Sequence, residues 1–262
     1  MKRYLKVYRQ FFLMNISRLL IYRSNFINNL VSSLVWAVFA FVTIILLTGR
    51  TQTVGGWNRS ELMLLTAMYS ILIGLFHTFL TRNFERMPIV IDKGLLDTVL
   101  LAPLDAQFIL TTRYMNFTSL IRVIAGLVFI ASIASSANIH IHIVGLLGAL
   151  MLLLVGLLLL YSLWFLVLIF VIYNPQLSNL VDLMFTVSSF GKYPRSMFQI
   201  LPREFFLAVL PLTFVSVPSV QMLLGRMTPY EYFGLFGYCL VLFVVTRLFW
   251  LYSLRHYTSA SS

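Results

Sequence analysis

Long apolar runs separated by short polar segments dominate the sequence. The runs 26–47, 62–80, 117–137 and 233–254 are each close to the ~20 residues with which a helix crosses the hydrocarbon core of a bilayer. The run 143–173 contains no charged residue, and it is longer than one crossing needs but too short for two crossings and a turn. We therefore expect it to form a single long, tilted span.

The segment that precedes the last run can be interpreted in two ways. One interpretation makes 177–193 a span and treats the proline-punctuated stretch 194–218 as re-entrant helices. The other keeps 177–203 as an amphipathic cytoplasmic segment, because its basic residues would then lie inside, and makes 204–217 the main part of a span. In either case, non-helical backbone at membrane depth must be buried in protein or line a cavity.

The two ends of the chain differ in pattern from the transmembrane part, 25–258. In residues 1–24, aromatic and aliphatic residues recur at helical spacing beside a face that carries six Lys and Arg side chains. Such a pattern predicts an amphipathic helix lying in the cytoplasmic headgroup region with its apolar side towards the lipid. The tail 259–262 is polar, and we expect it to be frayed.

The loop 81–113, between the second and third runs, contains a short amphipathic segment. Gly94 can end one helix because glycine tolerates a left-handed conformation, and Pro103 stops the next one. Asp97 and Thr98 lie on one side of the segment, opposite a set of apolar positions at helical spacing. These apolar positions are Leu95, Leu96, Val99 and Leu100. A helix of about two turns is not stable alone in water and needs a surface to lie on.

The pattern I-x-x-G-x-L-D-x-x-L-x-x-P in this loop resembles the coupling loop of ABC type-2 (ABC-2) transporter permeases. The likeness is greatest to the six-span branch that includes bacterial drug and viologen exporter permeases. The residues that carry it are Ile91, Gly94, Leu96, Asp97, Leu100 and Pro103.

This resemblance implies a set of partners and a fold. In the family, the loop docks into a groove on a separate ABC ATPase subunit, and a second permease chain, identical or related, completes the pathway. The family also has an interfacial helix at the N-terminus and short broken helices after the fifth span, which favours 177–193 as that span. We therefore expect an all-α polytopic protein with six transmembrane helices, located in a bacterial cytoplasmic membrane.

Composition and charge agree with a membrane location. The 262 residues are 60% hydrophobic and 10% charged, which is too few charges to cover a soluble globule. The formal net charge of +11 is best explained by basic loops near anionic membrane lipids, so we expect no nucleic-acid partner. Basic residues are concentrated in 1–24 and 81–113, whereas the loop after the first span holds only Arg50 and Arg59. Both termini are therefore predicted to be cytoplasmic.

Motifs for catalysis and for nucleotide binding are absent from the sequence. Gly191-Lys192 lacks the upstream glycine of a Walker A motif, and neither H-E-x-x-H nor G-x-S-x-G occurs. The single cysteine, Cys239, excludes an internal disulfide and a multi-cysteine metal site. We therefore expect no enzymatic activity, cofactor or metal site in this chain, and ATP hydrolysis in a partner subunit.

Two charged residues inside the predicted spans are candidate pathway residues. Asp182 would be an acid within the fifth span, although pairing with a neighbouring basic residue is equally possible. Arg122 lies one or two turns inside the third span, where it could snorkel to the headgroups or face a cavity. Snorkelling is the simpler interpretation.

The function that these features predict is that of a permease subunit in an ATP-driven exporter of hydrophobic or amphipathic compounds. Asp182 and the aromatic residues of the spans mildly favour amphipathic cations as cargo. One alternative is an ion-coupled secondary carrier, for which Asp182 would be the lone acid at membrane depth. Another is a non-transporting membrane scaffold, for which the match in the loop would be a coincidence.

Overall fold

The computed structural model describes residues 2–49, 53–136, 142–174, 177–198, 211 and 213–257. The described α-helices are, in chain order, α1 (Lys2–Ile21), α2 (Arg23–Leu47), α3 (Arg59–Phe76), α4 (Arg82–Asp92), α5 (Leu96–Leu100), α6 (Ala106–Thr112), α7 (Leu120–Ser136), α8 (Ile143–Ile169), α9 (Leu180–Ser188), α10 (Val217–Leu223) and α11 (Pro229–Arg255). A π-helical turn, His77–Thr81, joins α3 to α4. Short 3₁₀ turns cover Phe117–Ser119, Phe170–Ile172, Leu177–Asn179, Ser189–Lys192 and Arg195–Phe198.

Five helical segments in the described part of the chain are long and apolar enough to cross a membrane. They are Arg23–Leu47, Arg59–Asp92, Phe117–Ser135, Ile143–Ile172 and Pro229–Arg255. They correspond to the first, second, third, fourth and sixth predicted spans. The chain is therefore an all-α, multi-pass membrane protein.

The predicted fifth span, 177–193, forms a broken helix. Its α-helical part, α9, has nine residues, which cover only about 14 Å at 1.5 Å per residue. That is roughly half of the hydrocarbon thickness, so the count of six spans stays a prediction. Most of the predicted re-entrant stretch 194–218 and the tail 259–262 lie outside the described residues.

The second span continues beyond the predicted boundary at Leu80. The segment Arg59–Asp92 has 34 residues, roughly 50 Å of helix, against ~30 Å for the hydrocarbon core. A buried stripe on α4 keeps its last turns against the other helices: Asn83, Phe84, Met87, Pro88 and Ile91. This helix is therefore longer than the hydrocarbon core by ~20 Å where the loop with the glycine and proline begins.

The start and end of that loop are hydrogen-bonded to each other. Asn83 donates from Nδ2 to the carbonyl oxygen of Tyr114 at 2.8 Å and accepts at Oδ1 from the Tyr114 N–H at 2.8 Å. The carbonyl oxygen of Thr78, in the π-helical turn, accepts from the N–H of Asn116 at 2.8 Å. The loop thus leaves and re-enters the helical bundle at one fixed place.

Helices α3 and α7 cross at close range because glycines lie at the crossing. A Cβ atom on Gly126 would lie 2.6 Å from Cγ1 of Ile71 and 2.8 Å from the carbonyl oxygen of Ala67. A Cβ atom on Gly74 would lie 2.8 Å from Cγ2 of Val123. Small residues let helix backbones approach in this way. The crossing places Arg122, the neighbour of Val123, beside the middle of α3.

A small antiparallel hairpin lies in the loop after the first span. The sequence predicted a polar segment there but not the hairpin. Strand β1 (Thr53–Val54) pairs with β2 (Trp57–Asn58) around Gly55 and Gly56, which have φ values of +61° and +79°. Two successive positive φ angles are the requirement of a type I′ turn. The hairpin leads directly into α3, where the Asn58 N–H donates to Oε2 of Glu61 at 3.0 Å.

Candidate functional site

Five of the six residues that resemble a coupling motif lie beyond the end of α4, in the loop between α4 and α6. Gly94 has φ +66°, and its N–H donates to the carbonyl oxygen of Ile91 at 3.1 Å, so it ends α4 as the sequence predicted. α5 follows at Leu96 and ends at Leu100. Of the motif residues, Ile91 and Leu96 are buried, Gly94 and Asp97 are half-buried, and Leu100 and Pro103 are exposed.

The apolar residues of this segment divide into a buried pair and an exposed group. Leu96 and Val99 are buried and fix α5 to the bundle. Leu95, Leu100 and Leu101 flank that pair and are 47%, 40% and 85% exposed. We call these three residues the leucine tip. The four apolar positions that the helical spacing placed together therefore differ in burial. Leu96 and Val99 are buried, whereas Leu95 and Leu100 are exposed.

A network of polar side chains joins the far end of this loop to two spans. Asp105 begins α6, where its Oδ1 accepts from the N–H of Phe108 at 3.1 Å. The same carboxylate accepts two hydrogen bonds from Arg247 of α11, at 2.5 and 3.2 Å. Arg247 also donates to Oε1 of Gln107 at 2.6 Å, and Nε2 of Gln107 donates to the hydroxyl of Tyr161 in α8 at 2.7 Å.

The charge on Asp105 is stabilised by this arrangement. Partial burial would raise the pKa of Asp105, but the hydrogen bonds from Arg247 and from the Phe108 N–H outweigh it, so the pKa lies below its ordinary value. A two-pronged contact between a guanidinium and a carboxylate fixes geometry as well as charge. The network therefore stays intact at neutral pH.

A second candidate site is a cavity of about 370 Å³ among α2, α3, α7, α8 and the segment from α9 to Lys192, which we call the polar cavity because charged and hydroxyl side chains interrupt its mainly apolar lining. Its described lining combines cationic or basic side chains with aromatic ones: Arg122, Lys192, His77, Trp36, Trp164 and Phe185. Another cavity, of about 450 Å³ between α8, α10 and α11, is lined almost entirely by apolar side chains. Polar groups that could orient a ligand are therefore concentrated in the first of the two cavities.

The structure separates the two charged residues that the sequence suggested for a pathway. Arg122 lines the polar cavity, as in the second of the two interpretations that the sequence left open. Asp182 is exposed on α9 and is absent from the described lining of that cavity. Sequence reasoning missed Lys192 as a lining residue and missed the role of Arg247 in the polar network.

Comparison with known proteins identifies the family. A family model described as ABC-2 family transporter protein matches residues 34–261. The chain belongs to the ABC-2 transporter family. No curated protein and no solved structure matches it. The match includes the loop with the coupling motif and every described span from α3 onwards, so the resemblance to ABC-2 permeases is confirmed. Permeases of the ABC-2 family typically pair with an ABC ATPase.

The polar network of this ABC-2 permease gives a prediction about pH. In the Asp105→Asn variant, the asparagine can still cap α6, so the change isolates the ionic contact with Arg247. We expect the variant to be less stable by about 1 kcal/mol, because the pair is only partly buried. Because the folded pKa of Asp105 is depressed, this contribution is fully present above the unfolded pKa of about 3.9 and is lost as the pH falls through the folded value.

Thermal unfolding of both proteins in detergent at several pH values tests this prediction. The difference between them should be constant from about pH 5 to pH 8, and it should shrink only in more acidic solution. A difference that changes between pH 5 and pH 8 would show that the Asp105 carboxylate is not held as described.

Proposed function

We propose that this chain is the permease subunit of an ATP-driven exporter of hydrophobic or amphipathic compounds. A separate ABC ATPase subunit would dock on the leucine tip, and a second permease chain would supply the other half of the pathway. The observation that carries the proposal is the exposure of three leucines in and next to α5, in a loop that lies outside the described spans and is fixed to the bundle at both ends.

The exposure of the leucine tip supports a docking role. Apolar side chains that face lipid need no protein partner, but the tip belongs to a segment beyond the end of the roughly 50 Å helix Arg59–Asp92. Its border is polar, because Asp92, Lys93 and Thr98 are exposed. An apolar surface with a polar rim is typical of a site that another protein covers.

The connections of the loop explain how a push on the leucine tip would move the spans. On one side α4 is continuous with α3 through the π-helical turn. On the other side, Asp105 and Gln107 are bonded to Arg247 of α11 and to Tyr161 of α8. Closure of an ATPase pair would therefore be transmitted to three spans together, as a rigid-body movement and not as a local bend.

The remaining features of the proposal follow from charge. The basic N-terminal segment and the basic loop would lie on the cytoplasmic side of a bacterial inner membrane, with both termini there. α1 would rest in the headgroup layer, since apolar residues such as Leu5 and Leu13 are 73% and 51% exposed. ATP hydrolysis would occur in the partner subunit. A secondary carrier is less well supported, because Asp182 does not line the polar cavity.

Substitution of Gly94 tests whether the position of α5 matters for coupling. Gly94→Ala forces a residue with a side chain into the left-handed region, which costs about 1–2 kcal/mol and displaces α5 relative to α4. We expect the permease, co-expressed with the ABC ATPase encoded nearest to its gene, to lose most cargo-stimulated ATP hydrolysis. The measurement is hydrolysis by the purified complex with and without a hydrophobic compound.

Gly225→Ala is the matched control for this experiment. Gly225 has nearly the same backbone angle, φ +65°, but it follows α10, away from the loop that carries the leucine tip. We expect it to cost the same stability and to leave coupling unchanged. Equal loss of coupling in both variants would mean that general destabilisation, and not the position of α5, accounts for the effect.

A further inference from the structure

The described lining of the polar cavity carries positive charge and no acidic side chain. Arg122 and Lys192 both line it, and the described lining includes no aspartate or glutamate. In the described part of the chain, the ion pairs are those of Arg82, Arg226 and Arg247, so neither lining cation forms one. Ionisable side chains within a membrane domain are costly and commonly mark a substrate path.

One donor of the Arg122 guanidinium lacks an acceptor among the described residues. Its Nε atom is buried and has no hydrogen-bond partner among the described residues. Buried donors are nearly always bonded, and a charged donor is more costly to leave unbonded than a neutral one. An acceptor supplied by a ligand in the cavity would satisfy it.

Three neutral donors around the cavity are already used within the protein. The hydroxyl of Ser70 donates to the carbonyl oxygen of Arg122 at 3.1 Å, and the hydroxyl of Tyr69 donates to the carbonyl oxygen of Ser188 at 3.1 Å. The indole Nε1 of Trp164 donates to Oγ of Ser188 at 2.8 Å. In the described lining, the charged donors that remain for a ligand are those of Arg122 and Lys192, which select an anionic acceptor, and the imidazole of His77 lies beside them.

The aromatic side of the cavity provides a place for an apolar chain. Trp164 and Phe185 meet edge to face inside it, with ring centroids 4.9 Å apart. Trp36, on α2, lines the cavity and is 60% exposed, so the cavity reaches the outer surface of the bundle there. Val35 and Phe39, next to it on α2, are also 60% exposed and extend an apolar surface away from this side.

We propose that this cavity binds an anionic amphiphile, with its phosphate or carboxylate headgroup between Arg122 and Lys192 and its apolar chain passing Trp36. The inference rests on the proposed function only for the statement that the amphiphile is the exported cargo. It reverses the preference for cations that Asp182 suggested, because Asp182 lies outside the cavity.

Binding to the purified permease alone, in dodecylmaltoside, tests the site without any ATPase. The probes are dioctanoyl phosphatidic acid, dodecyltrimethylammonium and inorganic phosphate, measured by isothermal titration calorimetry. We expect the phosphatidic acid to bind, the cation not to bind, and inorganic phosphate to bind at least about tenfold more weakly, because it lacks the apolar chain. Equal binding of the cation and the phosphatidic acid would overturn the proposal.

Substitutions of Arg122 and Lys192 test whether these two cations bind the phosphatidic acid. Arg122→Gln and Lys192→Gln should each weaken binding of the phosphatidic acid by about tenfold or more, since each removes a charged hydrogen-bond donor. Arg122→Lys should keep part of the affinity and shows that the site remains folded. Arg59→Gln removes an exposed positive charge elsewhere and should change nothing. Unchanged binding in both glutamine variants of the cavity would also overturn the proposal.

A final measurement, ATP hydrolysis by the complex with and without the phosphatidic acid, distinguishes exported cargo from a lipid that stays bound. If the phosphatidic acid stimulates ATP hydrolysis by the complex with its ATPase, the bound amphiphile behaves as cargo. If it binds without stimulation, the site holds an anionic lipid of the membrane, and the anionic selectivity stands. Failure of the ATPase to dock would concern the leucine tip alone, because the binding experiment does not use the ATPase.

Discussion

Replacement of both Leu100 and Leu101 with glutamate is expected to abolish binding of the ABC ATPase while the permease remains folded. The two side chains are 40% and 85% exposed, so the bundle loses little packing when they change. In the complex each would bury an apolar side chain worth ~1.5–3 kcal/mol, and the substituted carboxylates would have to be desolvated instead. A loss of at least about 4 kcal/mol corresponds to a thousandfold weaker complex.

The measurement is co-purification of the ATPase with the tagged permease, followed by size-exclusion chromatography. Thr98→Glu is the matched control, since Thr98 is an exposed residue of the same short helix outside the leucine tip. We expect Thr98→Glu to retain the ATPase. Retention of the ATPase by the double variant would show that the leucine tip is not the docking surface.

The second large effect is expected from Gly126→Val at the crossing of α3 and α7. Even the first carbon of a side chain at this position would lie 2.6 Å from Ile71 and 2.8 Å from the backbone of Ala67. The helices must separate, and overpacking of this kind costs about 1–3 kcal/mol or more. Separation would also move Arg122, which lies one turn away on α7, and would disturb the polar cavity.

Gly237→Val is the control for that substitution. Gly237 lies within the first half of α11, is exposed, and would have nothing within 4 Å of an added Cβ atom. Thermal unfolding and monodispersity in detergent should show a marked loss for Gly126→Val and little change for Gly237→Val. Equal stability of the two variants would contradict the close crossing of α3 and α7.

Much of the fold could be predicted because it depends on local pattern. Apolar runs long enough for one crossing predicted the five described spans, since a bilayer imposes a minimum length on a helix. Gly94 was predicted to end a helix, and it does so with φ +66°. The fifth span was the weakest prediction because α9 is short and is bounded by 3₁₀ turns, so no long uniform run exists there.

The site was less predictable because it depends on contacts between distant residues. Asp105 and Arg247 are 142 residues apart, and neither carries a local signal for the other. Periodicity grouped Leu95 and Leu100 with Leu96, but spacing alone does not reveal which side of a short helix meets the bundle. Snorkelling was the simpler expectation for Arg122, because the cavity that it lines is formed by residues from distant parts of the chain.

The central claim is that the leucine tip contacts an ABC ATPase subunit, and site-specific photo-crosslinking measures this contact directly. A benzophenone amino acid would replace Leu101 in the permease co-expressed with its ATPase, and Leu147, which is 58% exposed on span α8, would be the comparison site. The account predicts an ultraviolet-dependent adduct of permease plus ATPase from position 101 and none from position 147. An adduct from 147 but not from 101, or none from 101 in a complex that still hydrolyses ATP, would contradict it.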